Sequence, residues 1–533
     1  MTLTDPKRGV GALPAAYCSM AWLLGETALP NHVDPSRTAL VWEDRSLTYA
    51  ELRDHALRLA AGLRSLGLQP GDRVATLLYN RGETFELYFA SAYAGLTLVP
   101  INFRMAAREV ELVLRDCGAS VIVTDEVLAP VARSAASAIG PELRLVTLGE
   151  NDYGGEFKAL LASRQIAAAD MAVTAVHLLL YTSGTTGRPK GVALSPTAIM
   201  WFALQQATFY PDMTPEMVLL LTGPTFNTAG INEQSIPTLL MGGTLVVQPS
   251  RGWRPERTSM LIDRFKVTHV NLFPVMLARI LEADSHRRIE FASLRFVLTG
   301  GEVCPVDIIS RFRRRWPHLS LAIGYGLTEV GVITLIRDSD IDRHPGSVGR
   351  SFGAQTHLVV DAVGRSVRPG EIGEIITAGP SLATGYWNAP ELTASAIRDG
   401  WLWTGDLGRQ DEDGYLYIEG RSKDMIISGG QNIFPAEIES ALAEHEDLSD
   451  CAVIGVPDRQ WGEAVCAVIV PKAARTVTER EVIQFVAARL ATYKKPKYVV
   501  VLDDLPRNPA GKVRKNQLRY ELRDIEQRRE VGR

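Results

Sequence analysis

Residues 181–192, Tyr-Thr-Ser-Gly-Thr-Thr-Gly-Arg-Pro-Lys-Gly-Val, follow without a break on the apolar run His177-Leu178-Leu179-Leu180. The string is built from residue types that can serve an anion. Gly184, Gly187 and Gly191 let backbone N–H groups approach closely, Ser183, Thr185 and Thr186 donate hydroxyl hydrogen bonds, and Lys190 supplies charge. This composition favours phosphate binding; a flexible linker is the alternative, but a linker needs no buried strand in front of it. The Gly-Lys-Ser/Thr ending of a P-loop is missing, so Walker-type binding is not implied. A second apolar run, Phe296-Val297-Leu298-Thr299, leads straight into Gly300-Gly301-Glu302. Ligands of open α/β sheets bind outside the carboxyl ends of strands, so both loops are expected at one cleft. The nine histidines show no HExxH spacing. No GxSxG elbow occurs and no Cys sits in a nucleophile motif, so metalloprotease and hydrolase chemistry find no support.

Such loops need a scaffold, and the sequence describes one. Thr48-Tyr49-Ala50-Glu51 has the form of a capping box, and Leu52, Leu59, Leu63 and Leu66 recur on one helical stripe until Gly67. Strands are expected at 74–78, 96–99 and 121–124, with helices over 82–94 and 107–116 between and after them. The alternation resumes with strands at 244–247, 269–273 and 296–299 and helices over 256–266 and 275–283, the signature of a parallel, helix-covered sheet. From about 346 to 420 short β-like pieces separated by Gly and Pro suggest a smaller β-rich lobe. After Gly420-Arg421-Ser422-Lys423-Asp424 the order is helix, two strands, helix, strand and a charged final helix. Those roughly 110 residues suffice for a separate α+β domain.

Composition agrees with a large enzyme. At 533 residues the chain exceeds one core, and length alone suggests about three units. The apolar share of 46%, the charged share of 22% and 45 glycines fit a globular, loop-rich α/β protein. A net charge of −4 is too small to argue for nucleic acid or an anionic membrane as partner. The densest basic run, Arg311 to Arg315, carries Phe312 and Trp316 at helical spacing and reads as a solvated helix face. Cys18, Cys117, Cys304, Cys451 and Cys466 are scattered without a CxxC pair, which suits a reducing cytoplasm rather than disulfides or zinc. No run reaches a membrane span, and the polar start Met1 to Val10 argues against a secretory leader.

From Thr48 to Lys515 the chain resembles the AMP-forming adenylating (ANL) superfamily of acyl- and aryl-CoA synthetases, luciferases and nonribosomal adenylation domains. The motifs that carry the resemblance occur in order: 181–191, Thr299 to Glu302, Tyr325 to Glu329 (YGLTE), Thr404 to Asp406 (TGD), 420–424, Asn432 to Glu439 (NIFPAEIE) and Pro506 to Lys512 (PRNPAGK). The resemblance implies a large N-terminal domain of helix-covered mixed sheets with a β-rich lobe (1–422) and a smaller, mobile α+β C-terminal domain (423–533). It implies an AMP-forming acid–thiol ligase using ATP, Mg²⁺ and coenzyme A. Lys512 then corresponds to the catalytic lysine on the α-phosphate, Glu329 to the magnesium ligand, and Thr328 to a phosphate contact. Thr182, Ser183, Gly184, Thr185, Thr186, Gly187 and Lys190 fall on phosphate, and Gly300, Gly301, Glu302, Tyr325 and Gly326 on the adenine slot. Asp406 and Arg421 match the ribose ligands, Lys423 the hinge, and Ser428, Gly429 and Gly430 the face offered to CoA.

The acid site departs from familiar patterns. Where fatty-acid members carry Phe-His and amino-acid members Phe-Asp, this chain has Phe226-Asn227. Without an aspartate an α-ammonium group loses its counter-charge, so amino-acid substrates are disfavoured. Phe226, Asn227, Gly230, Ile231, Gly324 and Val330, with Phe273, Met276 and Val332, are the candidate pocket residues; most are small or apolar, which favours a hydrophobic acid, medium- or long-chain or bulky cyclic. A carrier-protein pantetheine arm is the rival acceptor, and a non-catalytic nucleotide sensor is the rival class. A soluble cytoplasmic protein is expected, and a homodimer is left open.

Overall fold

The computed structural model describes residues 33–149, 155–166, 175–182, 189–286, 288–302, 304–428, 431–507 and 512–527, with Met20 and Leu24. Two large sheets form its body. In the nine-stranded sheet Val218–Leu221, Thr244–Val247, His269–Asn271, Phe296–Gly300 and Ser320–Leu327 run parallel, while Gly331–Arg337 turns back antiparallel on Ser320–Leu327. In the seven-stranded sheet the parallel strands Arg73–Leu77, Thr97–Pro100, Val121–Asp125 and Arg144–Leu148 are extended by Leu178–Thr182, Lys190–Leu194 and Gly385–Tyr386. These sheets are mixed, not parallel throughout. Burial explains the near-continuous apolar strands: Leu178, Leu179, Val297 and Leu298 are all almost fully covered.

The largest core unites residues from both sheets with helices Tyr49–Ser65, Glu83–Ala94 and Pro196–Phe209. The capping box at the first of these helices is formed: the Glu51 N–H donates to Thr48 Oγ1 at 3.2 Å and the Thr48 N–H to Glu51 Oε2 at 2.8 Å. The basic run lies on helix Val306–Arg315, with Phe312 and Trp316 buried. Its arginines are paired rather than merely solvated, Arg313 with Asp338 at 2.9 Å and Arg315 with Asp284 at 2.6 Å.

The β-rich lobe is a five-stranded sheet of Thr356–Val360, Gly373–Ala378, Ile397–Arg398, Trp401–Gln410 and Leu416–Arg421. It is less self-contained than its glycine-punctuated sequence suggests. Strand Gly385–Tyr386 joins the seven-stranded sheet, and helix Pro390–Ala396 interrupts the β texture. Beyond it, a smaller domain wraps the sheet Ile426–Ser428, Gln431–Ile433, Leu448–Asp458, Gly462–Pro471 and Tyr498–Val501 with helices Pro435–Ala443, Glu479–Ala487 and Lys515–Glu521. Each face of that sheet has its own apolar cluster. Among the described residues no helix is long and apolar enough to cross a membrane.

Candidate active site

Residues 183–189 join two antiparallel strands. Leu178–Thr182 and Lys190–Leu194 pair with Tyr181 opposite Gly191 and Thr182 opposite Lys190. The second strand was hidden in the sequence because its five residues follow directly on the glycine-rich string. Ser183, Gly184, Thr185, Thr186 and Gly187 lie outside the described residues; their anchors Thr182 and Lys190 stand side by side at the sheet's end. Lys190 Nζ lies 5.5 Å from the centre of the Tyr386 ring.

Tyr386 in turn donates its hydroxyl to Glu329 Oε1 at 2.7 Å. Sequence reasoning missed this tyrosine: it follows the short pairing of Gly385–Tyr386 with Lys190–Leu194, which no local pattern announces. Thr328 and Glu329 occupy the hairpin tip between Ser320–Leu327 and Gly331–Arg337, closed by the Val330 N–H on the Leu327 carbonyl at 3.2 Å. On the adjoining strand the Tyr325 hydroxyl donates to Asp406 Oδ2 at 2.8 Å, and Arg421 Nε stands 2.8 Å from Asp406 Oδ1. Asp406 and Arg421 face each other in the antiparallel register of Trp401–Gln410 and Leu416–Arg421. Each carboxylate oxygen has a further lone pair, so Asp406 can still accept two hydroxyls. Gly300 belongs to the packing as well as the cleft, since a Cβ there would meet the Gly324 carbonyl at 2.3 Å.

The small domain reaches this cleft. Arg507 and Val513 bridge across the base of the loop carrying Lys512, and the Arg514 N–H donates to the Pro506 carbonyl at 2.7 Å. Lys512 remains accessible to water but is walled by protein, as a residue lining a cleft is. That desolvation, then the Arg421 charge, lowers its pKa, while Glu302, Asp406 and Glu329 pull it back up. Glu302 shows the reciprocal effect: burial raises its pKa against the pull of Arg507 and Lys512. Lys423 is depressed by desolvation, then by Arg421, Lys190 and Arg519. Lysines and arginines from both domains therefore crowd one space and repel one another, an arrangement that a polyphosphate would relieve.

Lys423 sits between two ties. Its neighbour Ser422 donates to the Gly405 carbonyl of the large domain at 3.2 Å, and Asp424 pairs with Arg519 of the small domain at 2.8 Å. Ser428 lies on the small domain's sheet opposite Gln431 and Gly462; Gly429 and Gly430 lie outside the described residues.

The acid candidates separate. Asn227 Oδ1 accepts from the Gly230 N–H at 3.0 Å, so part of its polarity is used in closing a turn. Phe226 packs edge-on against Phe103 with centroids 5.2 Å apart, and Ile231 is 0% exposed inside the main core. Val330 and Thr328 line a small cavity, about 10 Å³, with Leu194, Ala198, Ile199 and Phe202. That is room for about one water. The cavity wall from helix Pro196–Phe209 was missed because its apolar residues read only as core. Phe273 and Val332 stand near Gly301 and Gly324 respectively. Met276 packs on the cluster at the other face of the nine-stranded sheet.

Among the described residues no group of three or more His, Cys, Asp or Glu side chains could hold a metal ion. The Glu329 carboxylate at the hairpin tip is a single oxygen donor of the type Mg²⁺ takes, and would hold such an ion only with further ligands supplied by a bound polyphosphate and water.

The chain resembles known proteins over most of its length. An indoleacetate–CoA ligase of Aromatoleum aromaticum is 36% identical over 492 residues, covering 91% of this chain and 95% of the relative. A fatty acid–acyl-carrier-protein ligase of Streptomyces coeruleorubidus is 32% identical, covering 94% and 96%. The structure of ATP-bound MatB from Rhodopseudomonas palustris superposes with a TM-score of 0.83 at 33% identity, covering 92% of this chain and 97% of that one. The AMP-binding enzyme profile matches residues 30–387 and the AMP-binding enzyme C-terminal domain profile residues 437–512. By sequence over most of its length, and by a cleft whose charges come from both domains, this chain belongs to the AMP-binding enzymes of the ANL adenylating superfamily.

Proposed function

We propose that the chain activates an apolar carboxylic acid, medium- or long-chain or bulky cyclic, through an acyl adenylate and then transfers the acyl group to CoA. The observation that carries this reading is the position of Lys512, borne by the small domain yet coupled to Arg421, Glu302, Asp406 and Glu329 of the large one. A carboxylate is a poor acyl donor because its charge repels nucleophiles and oxide is a bad leaving group. When a carboxylate oxygen attacks the α-phosphorus of ATP, the bond to pyrophosphate breaks and the acid acquires AMP as a leaving group. The crowded, anionic transition state asks for cations and donors more than for acid or base catalysis.

In this scheme Lys512 bridges the α-phosphate and the attacking carboxylate, Lys190 and the 182–187 loop hold the outer phosphates, and Thr328 contacts phosphate beside the acid cavity. Asp406 and Arg421 take the ribose hydroxyls, and the strand end at Gly300 with Tyr325 flanks the base. Mg²⁺, held by Glu329, would neutralise phosphate charge, and Tyr386 fixes the orientation of that carboxylate. We set the domain boundary at Lys423, between the two ties described above. Rotation there would withdraw Lys512 and present Ser428 to Gly430 to the thiol. The thiol sulfur then attacks the acyl carbon, AMP leaves with the bonding pair, and the thiol proton passes to solvent.

Acid-dependent exchange of pyrophosphate into ATP, measured over a panel of acids with Mg²⁺, tests the reading. Exchange with apolar acids and thioester formation on CoA are expected. A folded protein with no acid-dependent exchange would sink it. A carrier-protein acceptor is the second reading, favoured by the resemblance to the Streptomyces carrier ligase; thioester on a pantetheinylated carrier but not on CoA would select it.

A further inference from the structure

The cavity beside Thr328 lies at one end of the packing between helix Pro196–Phe209 and the nine-stranded sheet. Ile199 and Phe202, which line it, belong to a stripe of helix Pro196–Phe209 that continues through Gln206 to Tyr210 just past the helix end. From Ile199 to Gln206 that stripe runs about 10 Å. The opposing wall is one face of the nine-stranded sheet. Register partners point to the same side, so Asn271, Leu298 and Ala322 form one row on that face and Gly300 and Gly324 sit in the row nearer Thr328. Leu298, Ala322, Ile199, Phe202 and Tyr210 share one core cluster, which fixes this face as the one turned toward the helix. The small residues 300, 322 and 324 put little side chain of their own opposite the stripe.

The far end of this stripe is polar. Among the described residues neither amide atom of Gln206, which is 0% exposed, has a hydrogen-bond partner, and the hydroxyl of Tyr210, which is 4% exposed, has none. Buried polar atoms are nearly always satisfied, so two such side chains on one stripe call for an absent partner. Glu233, the last residue of the π-helical turn Ala229–Glu233, adds a carboxyl that accepts from Asn271 Nδ2 at 3.5 Å. Burial raises the Tyr210 pKa far above its ordinary value, and the nearby Glu233 raises it further. The Glu233 carboxyl itself is pushed up to about 7 by burial, against the Asn271 hydrogen bond. It keeps some accessible surface. π-helical turns recur at functional sites, where the inserted residue re-aims its side chains.

We infer that Gln206, Tyr210 and Glu233 form a polar floor to the acid slot, which selects acids carrying a hydrogen-bonding group, a hydroxyl or ring N–H, at the end remote from the carboxylate. The inference rests on the proposed acid activation and narrows its substrate to roughly arylpropanoid length. An acid enters by turning Phe202 away from Gly331, where the two now pack closely.

The test compares kcat/KM for pyrophosphate exchange with 3-(4-hydroxyphenyl)propanoate and 3-phenylpropanoate, in the wild type and in Glu233→Leu and Gln206→Leu. The wild type should favour the hydroxylated acid by about tenfold or more, because its loss leaves buried groups unpaired. Either variant should collapse that ratio toward one while keeping or improving exchange with 3-phenylpropanoate. Should Glu233→Leu fail to melt cooperatively, Gln206→Leu alone decides. A wild-type ratio near one, or a ratio unchanged in the folded variants, overturns the polar floor while leaving acid activation standing. No exchange with any acid overturns both.

Discussion

A single lysine carries the heaviest chemical assignment. Lys512 reaches the cleft from an accessible loop, so truncating it removes charge without opening a core. Lys512→Ala should therefore lower acid-dependent pyrophosphate exchange by about two to three orders of magnitude, the typical loss of a placed oxyanion donor, with an unchanged melting temperature. Because desolvation and Arg421 lower its pKa, the protonated form is lost earlier on the alkaline side than in a free lysine. The alkaline limb of kcat/KM for ATP should lie correspondingly low, and vanish from the residual activity of Lys512→Ala. Glu233 offers the opposite sign. Its folded pKa is raised from 4.5 to about 7. Between those values the native state keeps a proton the unfolded chain has lost, so stability falls as pH rises through that window and the cost persists above it. Glu233→Gln should stabilise the protein at pH 8, by up to about 3 kcal/mol, and much less at pH 5, read from urea denaturation at the two pH values.

At the scale of elements, stability and legibility have the same source. Helix Tyr49–Ser65 was legible because its start is written in four consecutive residues; Thr48→Ala removes the cap and should cost about 1 kcal/mol in chemical denaturation, leaving KM values untouched. The alternating strands and helices were legible for a similar reason, since each apolar run is short, bounded and periodic. What escaped was pairing between distant segments. That Lys190–Leu194 is a strand depends on Leu178–Thr182 and Gly385–Tyr386 lying on either side of it, and nothing in Lys-Gly-Val-Ala-Leu states this. The same limit hid Tyr386 beside Glu329 and the run of Ile199, Phe202 and Gln206 along the slot. Apolar residues facing a cavity have the same local pattern as those facing a core. Ile231, a pocket candidate for its apolar side chain, sits in the π-helical turn with 0% exposure in the main core.

For the whole molecule, the proposed scheme makes the arrangement of the two domains a balance of charges. Lys190, Arg421 and Arg519 crowd Lys423, and Arg421 also bears on Lys512. In the proposed scheme this repulsion, set against the pull of Glu302, Asp406 and Glu329 on Lys512, would oppose the arrangement seen here without a polyanion, be relieved by MgATP, and favour rotation about Lys423 once pyrophosphate leaves. Spin labels at Val363 and Tyr520, each 68% exposed and on different domains, would report the interdomain distance without disturbing either core. A nonhydrolysable MgATP analogue should narrow the distance distribution toward that of this structure. Raising salt in the nucleotide-free protein should narrow it partly, because exposed charges are screened within about 3 Å at 1 M ionic strength. Lys423→Gln should act in the same direction as salt, since it removes one cation from the crowd. If the distribution ignores nucleotide, salt and the Lys423 charge alike, the domains are held by packing rather than by these cations, and the charge-driven exchange between the two half-reactions falls with it.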